Sequence, residues 1–177
     1  MLNTANMFLD IIISPKKAFQ EINEQKPLII GAGVYLIYLW ANIYYSIPIQ
    51  ANWFSMELLM SIVNFFLFPF MIYSVAEDFK GEGDYKSILS AYGFTFFPFV
   101  LLILWIPILG FSPWDTLTML LWIGLFAWSI ILLVIAIQKC YKVSIGTGIR
   151  IVLLSLLYVT GIYLVVGILV GFISFLL

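Results

Sequence analysis

Five long stretches of this chain carry no ionised side chain deep in their interiors, and that limits the fold more than any other feature. They run over residues 28–48, 57–76, 85–109, 116–137 and 150–177. About 20 mostly apolar residues in a helix cross the roughly 30 Å of hydrocarbon in a bilayer. Each stretch is long enough to do so. A soluble domain offers no alternative, because 64% of the residues are apolar and only 10% are charged. Globular domains average about 45–50% and about 25%. The expected fold is therefore an all-α membrane protein with five transmembrane helices, residues 28–177, preceded by a short interfacial amphipathic helix within residues 1–27. The last stretch has no charge after Arg150 and outruns the hydrocarbon thickness, so it predicts tilt or an overhanging end.

Punctuation sharpens the boundaries. Ser112-Pro113-Trp114-Asp115 reads as a capping box with proline at the first helical position, opening the fourth span. Gly81, Gly83 and Asp84 break the chain between spans two and three, and Asp84 is placed to cap the third. Pro69 and Pro98 fall within spans two and three and predict kinks there. Before the first span, Ser14-Pro15 marks a helix start with Ala18, Phe19 and Ile22 on one face. Met7, Phe8, Ile11 and Ile12 form a second apolar stripe. These stripes suit one or two short helices lying on a leaflet; packing against the bundle is the alternative. The N-terminus does not read as a cleaved signal peptide, since no positive region opens it and Asp10 interrupts its apolar run.

The eight basic residues set the orientation. Lys16, Lys17 and Lys26 precede the first span; Lys80 and Lys86 lie between spans two and three; Lys139, Lys142 and Arg150 lie between four and five. The other two loops and the C-terminus have none. Lys and Arg in short loops favour the cytoplasm, so the N-terminus is expected inside and the C-terminus outside. Tyr44, Tyr45, Trp53, Trp105 and Trp114 then fall at the outer interface, and Tyr73, Tyr85 and Tyr141 at the inner one.

Little in the chain suggests chemistry. There is no histidine and one cysteine, Cys140, in the loop expected to face the cytoplasm. No intrachain disulfide can form, and metal sites built from Cys and His are excluded. No cofactor is expected. Glu77, Asp78, Glu82 and Asp84 could hold a hard cation, but Lys80 and Lys86 interleave with them, as in an ordinary solvated loop. Eight basic residues in short loops make no nucleic-acid face. Asn42 and Asn64 are the intramembrane amides; bonding between helices is their expected use, and lining a permeation path is the alternative. Gly167 and Gly171, with Thr160 and Ser174 extending the face, form a small-residue seam for packing within the bundle, or for a homo-oligomer.

Three local patterns resemble the Yip-domain family, in a bacterial-type member. Ser14-Pro15-Lys16-Lys17-Ala18-Phe19-Gln20-Glu21-Ile22 is similar to that family's pre-membrane pattern of proline, Ala-Phe and Ile. The Gly81–Lys86 loop and Gly93-Phe94-Thr95-Phe96-Phe97-Pro98 are similar to its third-helix entry and its Gly-Tyr-x-x-x-Pro motif, with Phe94 replacing tyrosine. The resemblance implies a five-span fold without known catalysis, with Pro15, Phe19, Gly93 and Pro98 in structural roles. Eukaryotic relatives are named for interacting with Rab-type GTPases. The sequence shows neither their long N-terminal region nor an Asp-Leu-Tyr-Gly-Pro motif, so Rab binding is not expected to carry over. The expected function is a non-enzymatic protein of the bacterial cytoplasmic membrane. It binds or organises membrane lipids, or membrane or cytoplasmic proteins, at its cytoplasmic face. Lys16, Lys17, Lys80 and Lys86 are the candidate contacts. The alternative is a small permease or channel for a neutral or lipidic solute.

Overall fold

The computed structural model describes residues 4–46, 51–109 and 116–176, which form eight α-helices. They are α1 (Thr4–Ile13), α2 (Pro15–Gln25), α3 (Leu28–Ser46), α4 (Ala51–Asp78), α5 (Tyr85–Phe94), α6 (Phe97–Leu109), α7 (Thr116–Tyr141) and α8 (Ile145–Leu176). Segments Leu58–Asp78, Tyr85–Ile103, Thr116–Tyr141 and Ile145–Val170 are long and apolar enough to cross a membrane, while Leu28–Asn42 is a shorter apolar helix. The expected capping box at Ser112–Asp115 lies outside the described residues, as do the side chains of Tyr44, Tyr45, Trp53, Trp105 and Trp114.

Local signals explain the helix starts. Pro15 opens α2 at a position where its missing N–H has no helical partner to lose. Asp84 accepts from the Ser87 N–H at 2.8 Å and caps α5. α8 begins five residues before Arg150, because Ser144 Oγ accepts from the Thr147 N–H at 3.2 Å and caps it there. Lys26, Lys80 and Lys142, at the ends of α2, α4 and α7, adopt left-handed backbone (φ 48°, 58° and 55°). That conformation lets a helix terminate and is cheapest for glycine.

α5 is the centre of the bundle. It packs against α2, α3, α4 and α7, and every residue from Ser87 to Phe94 is buried. Its closest approach is to α3. A Cβ on Gly93 would collide with the Gly31 backbone, and one on Gly31 would collide with the Ser90 carbonyl. Around that crossing Tyr35, Phe65, Tyr92 and Phe96 form an aromatic cluster, with Tyr35 4.5 Å from Phe65 and 5.1 Å from Phe96 between ring centroids.

The expected third span is not one helix. It breaks at Thr95–Phe96, between α5 and α6, and Pro98 sits buried in the first turn of α6. Pro98 has no N–H, and its ring crowds the carbonyl four residues back. The Phe99 N–H, which would reach Thr95 in an unbroken helix, donates to Phe96 at 3.0 Å. Ser129 Oγ of α7 donates instead to the freed Thr95 carbonyl at 2.8 Å. A broken helix in an apolar environment persists where a neighbour supplies such a bond. By contrast, α4 runs through Pro69 as a single helix.

α1 and α2 dock on this assembly. Ala18, Phe19 and Ile22 of α2 are buried, and α2 packs on α5 and α7. Its apolar stripe therefore faces protein. On α1, Met7 and Ile11 are buried and the Phe8 ring lies 4.8 Å from Phe97 and 5.9 Å from Phe94, beside the helix break. Leu9, Ile12 and Ile13 remain exposed.

Candidate functional site

Two features are candidates: a charged end of the bundle and a cavity inside it. At the charged end the α2 terminus, the α4–α5 loop and the α7–α8 turn meet. Lys26 pairs with Asp84, Lys142 Nζ lies 3.0 Å from Glu82 Oε2, and the Asn23 side-chain amide donates to the Lys139 carbonyl at 3.5 Å. The Glu82 N–H donates to the Tyr141 carbonyl at 3.2 Å. Gly83 allows this approach, since a Cβ there would lie 2.6 Å from the Cys140 carbonyl oxygen. Burial alone would raise the pKa of Asp84. Hydrogen bonds from Lys26 and Ser87 outweigh it and hold the carboxyl below its usual range. Three of the four clustered carboxylates thus have separate partners: Asp84 with Lys26, Glu82 with Lys142, and Glu77 with the Tyr73 hydroxyl.

A polar recess of about 540 Å³ lies between α2 and the end of α7, lined by Gln20, Asn23, Glu24, Gln138, Lys139 and Lys142. The four lysines singled out from sequence are all exposed but do not line it. Lys17 is held by Asp10 at 2.9 Å and more loosely by Glu21, and the Asp10 carboxylate raises its pKa. Cys140 is not in a loop: it is buried in the last turn of α7. The recess was missed because its residues come from segments more than a hundred positions apart, as the Asn23–Lys139 bond shows.

The second feature is a cavity of about 450 Å³ beside the helix break. Tyr92, Phe96 and Phe99 form an aromatic wall, and Asn64, Thr95, Ser129, Thr160 and the hydroxyl-bearing Tyr38, Tyr92 and Tyr163 are the polar residues of the lining. Asn64 Oδ1 is buried and has no hydrogen-bond partner among the described residues. Asn64 thus does not make, through this oxygen, the interhelical bond expected of it. Asn42 is half-buried in α3 and lies away from the lining.

Of the small-residue seam, Thr160 lines the cavity and Gly167 is exposed. Among the described residues nothing lies within 4 Å of a Cβ built on Gly167, so this position is not packed inside the bundle. α8 leaves the bundle as it rises: a Cβ on Gly148, near its start, would lie 3.4 Å from Val134 of α7, but every residue from Leu164 to Val170 is exposed. The surroundings of Gly171 and the side chain of Ser174 lie outside the described residues. Of the other motif positions, Phe19 is buried against the bundle, Pro15 opens α2, and Gly93 lies at the α3 crossing.

Long apolar helices around a centrally buried, broken one define an α-helical integral membrane protein. Comparison with known families is specific about which kind: the chain belongs to the Yip1 domain family, whose model matches residues 9–173. No curated relative and no solved structure matches the chain.

Proposed function

We propose that this is a non-enzymatic five-span protein of the bacterial cytoplasmic membrane that binds or organises lipid or protein partners at its charged end. On this reading that end faces the cytoplasm, and α3 with its continuation supplies the first span. The observation that carries the proposal is the convergence of the basic segments. Lys26, the Lys80–Lys86 loop and the Lys139–Lys142 turn belong to one hydrogen-bonded assembly. Lys16, Lys17, Lys80 and Lys86 stay exposed. Each basic residue near an anionic leaflet adds about 1 kcal/mol of attraction. Changing these four to Gln should weaken capture of anionic vesicles or of co-purifying proteins while leaving thermal stability unchanged. Undiminished capture by the quadruple variant would end this reading.

Topology has its own test. Cys140 is buried, so it should label slowly even in permeabilised cells. A Lys142→Cys, Cys140→Ala variant should react with an impermeant maleimide only after permeabilisation. Labelling in intact cells would invert the orientation.

The cavity favours a second reading, a small permease for a neutral or lipidic solute. Its lining is chiefly aromatic and aliphatic rather than a continuous polar path, which supports the binding reading over transport. Solute flux through purified protein in liposomes separates the two: saturable flux abolished by Asn64→Leu would promote the permease.

A further inference from the structure

The intramembrane cavity has a direction, a charge state and an unmet hydrogen bond, and together these specify an occupant. α7 and α8 pack closely at the turn joining them and then separate. The cavity lies in the opening, with Phe126 and Ile130 of α7 and Leu156 of α8 at its mouth. All three are exposed on the apolar outer surface of the bundle. A mouth framed by exposed apolar side chains on two membrane-length helices opens sideways into hydrocarbon, so whatever enters comes from the bilayer. The lining contains no carboxylate, ammonium or guanidinium group among the described residues. A charged headgroup would lie there unpaired, at a cost of several kcal/mol. Among the described residues of the lining, the one buried polar atom left without a partner is Asn64 Oδ1, an acceptor, which calls for a donor that is itself uncharged. The volume lies within the usual range for a small-molecule site and far below that of a membrane-spanning helix.

We propose that this cavity is a lateral binding site for an uncharged, hydroxyl-bearing lipid of the diacylglycerol kind, with an acyl chain against the aromatic wall and the hydroxyl donating to Asn64. The site is separate from the charged end, and neither proposal rests on the other.

The test uses the full-length protein in lipid nanodiscs and a diacylglycerol probe carrying a diazirine and an alkyne. Irradiation should attach the probe to peptides from α7 and α8 that line the cavity. Unlabelled diacylglycerol should compete about tenfold better than the same lipid with its hydroxyl acetylated, the factor a hydrogen bond of about 1.4 kcal/mol provides. Phosphatidylglycerol should compete no better than the acetylated lipid. Asn64→Leu should bring the diacylglycerol ratio to about one, and Thr160→Phe, at an exposed lining position, should largely abolish labelling. If either variant fails to fold, the wild-type competition ratio decides. Equal competition by the acetylated lipid overturns the proposal. So does labelling confined to the outer face of α8 around Leu164–Val166, or an α8–α8 crosslink between copies that excludes the probe.

Discussion

α5 and α8 are both apolar helices, yet they are opposites. Over the 18 residues that mark each as a membrane-crossing segment, 72% are buried in the span that begins with α5 and 22% in the α8 span. α8 is the longer, the more apolar and the unbroken one, and α5 carries buried Ser87, Ser90 and Tyr92 and the close glycine contact. In water the most apolar helix would sit at the centre. In a bilayer the lipid is as apolar as any side chain, so greasiness gives no reason to be inside. Close backbone approach and polar atoms do. The centre therefore went to the helix with Gly93 and Ser90, which Thr95 closes, and the more apolar α8 went to the edge.

The largest expected effect tests this contrast directly. Gly93→Leu should cost at least about 3 kcal/mol, the upper end of overpacking penalties, because its side chain meets the Gly31 backbone rather than a movable side chain. The readout is thermal unfolding in detergent. A wild-type melting temperature for Gly93→Leu would remove α5 from the centre. Next comes the cap that starts α5. Asp84→Ala loses both the cap and the Lys26 pair and should cost about 0.5–2 kcal/mol; Asp84→Asn keeps a capping oxygen and should cost less. Because the folded state lowers this carboxyl's pKa, its stabilisation is present above the unfolded value of about 3.9. It is lost as pH falls through the lower folded value. The gap between wild type and Asp84→Asn should therefore shrink below about pH 4; a constant gap from pH 7 to pH 3 would rule the pair out as its source.

Smaller still, Ser129→Ala should cost about 0.6 kcal/mol, with an upper bound near 1.7, by leaving the Thr95 carbonyl unpaired. Ser129→Thr should recover most of it. The smallest effect belongs to α8: Gly167→Leu should leave the melting temperature of the monomer unchanged, since open space surrounds that position. A loss comparable to Gly93→Leu would mean that α8 is packed against something in the membrane, a second copy being the first to check by crosslinking.

The two glycines also show what one chain of letters can tell. Helix starts were legible at Pro15 and Asp84, because proline at a first turn and a capping carboxylate act within three or four residues. Segregation of the lysines was legible, and the structure gathers their segments at one end. Which glycine packs was not. Gly93 and Gly167 both lie in apolar runs, and the difference between them is Gly31, sixty-two positions before the first. The helix break was half legible. Pro98 announces a disturbance, but its site at Thr95–Phe96 depends on a hydroxyl from α7. The cavity was not legible, because α4, α5, α6, α7 and α8 all contribute and only their splay creates it. Asn64 could be picked out as a polar residue in an apolar run, but not as an acceptor without a donor.

The bond between Ser129 and Thr95 also sets an order of events during synthesis. The carbonyl leaves the ribosome 34 residues before the hydroxyl that satisfies it. At about 5–20 residues per second that interval is a few seconds. Through it, a break at Thr95 exposed to lipid would leave a backbone group unpaired at a cost of several kcal/mol. The nascent segment avoids that cost by staying as regular as Pro98 allows, or by lingering where water reaches it. The kink is then a product of maturation, imposed when α7 arrives, and a ribosome stalled before Ser129 would hold a straighter, less finished third span than the one the completed protein contains.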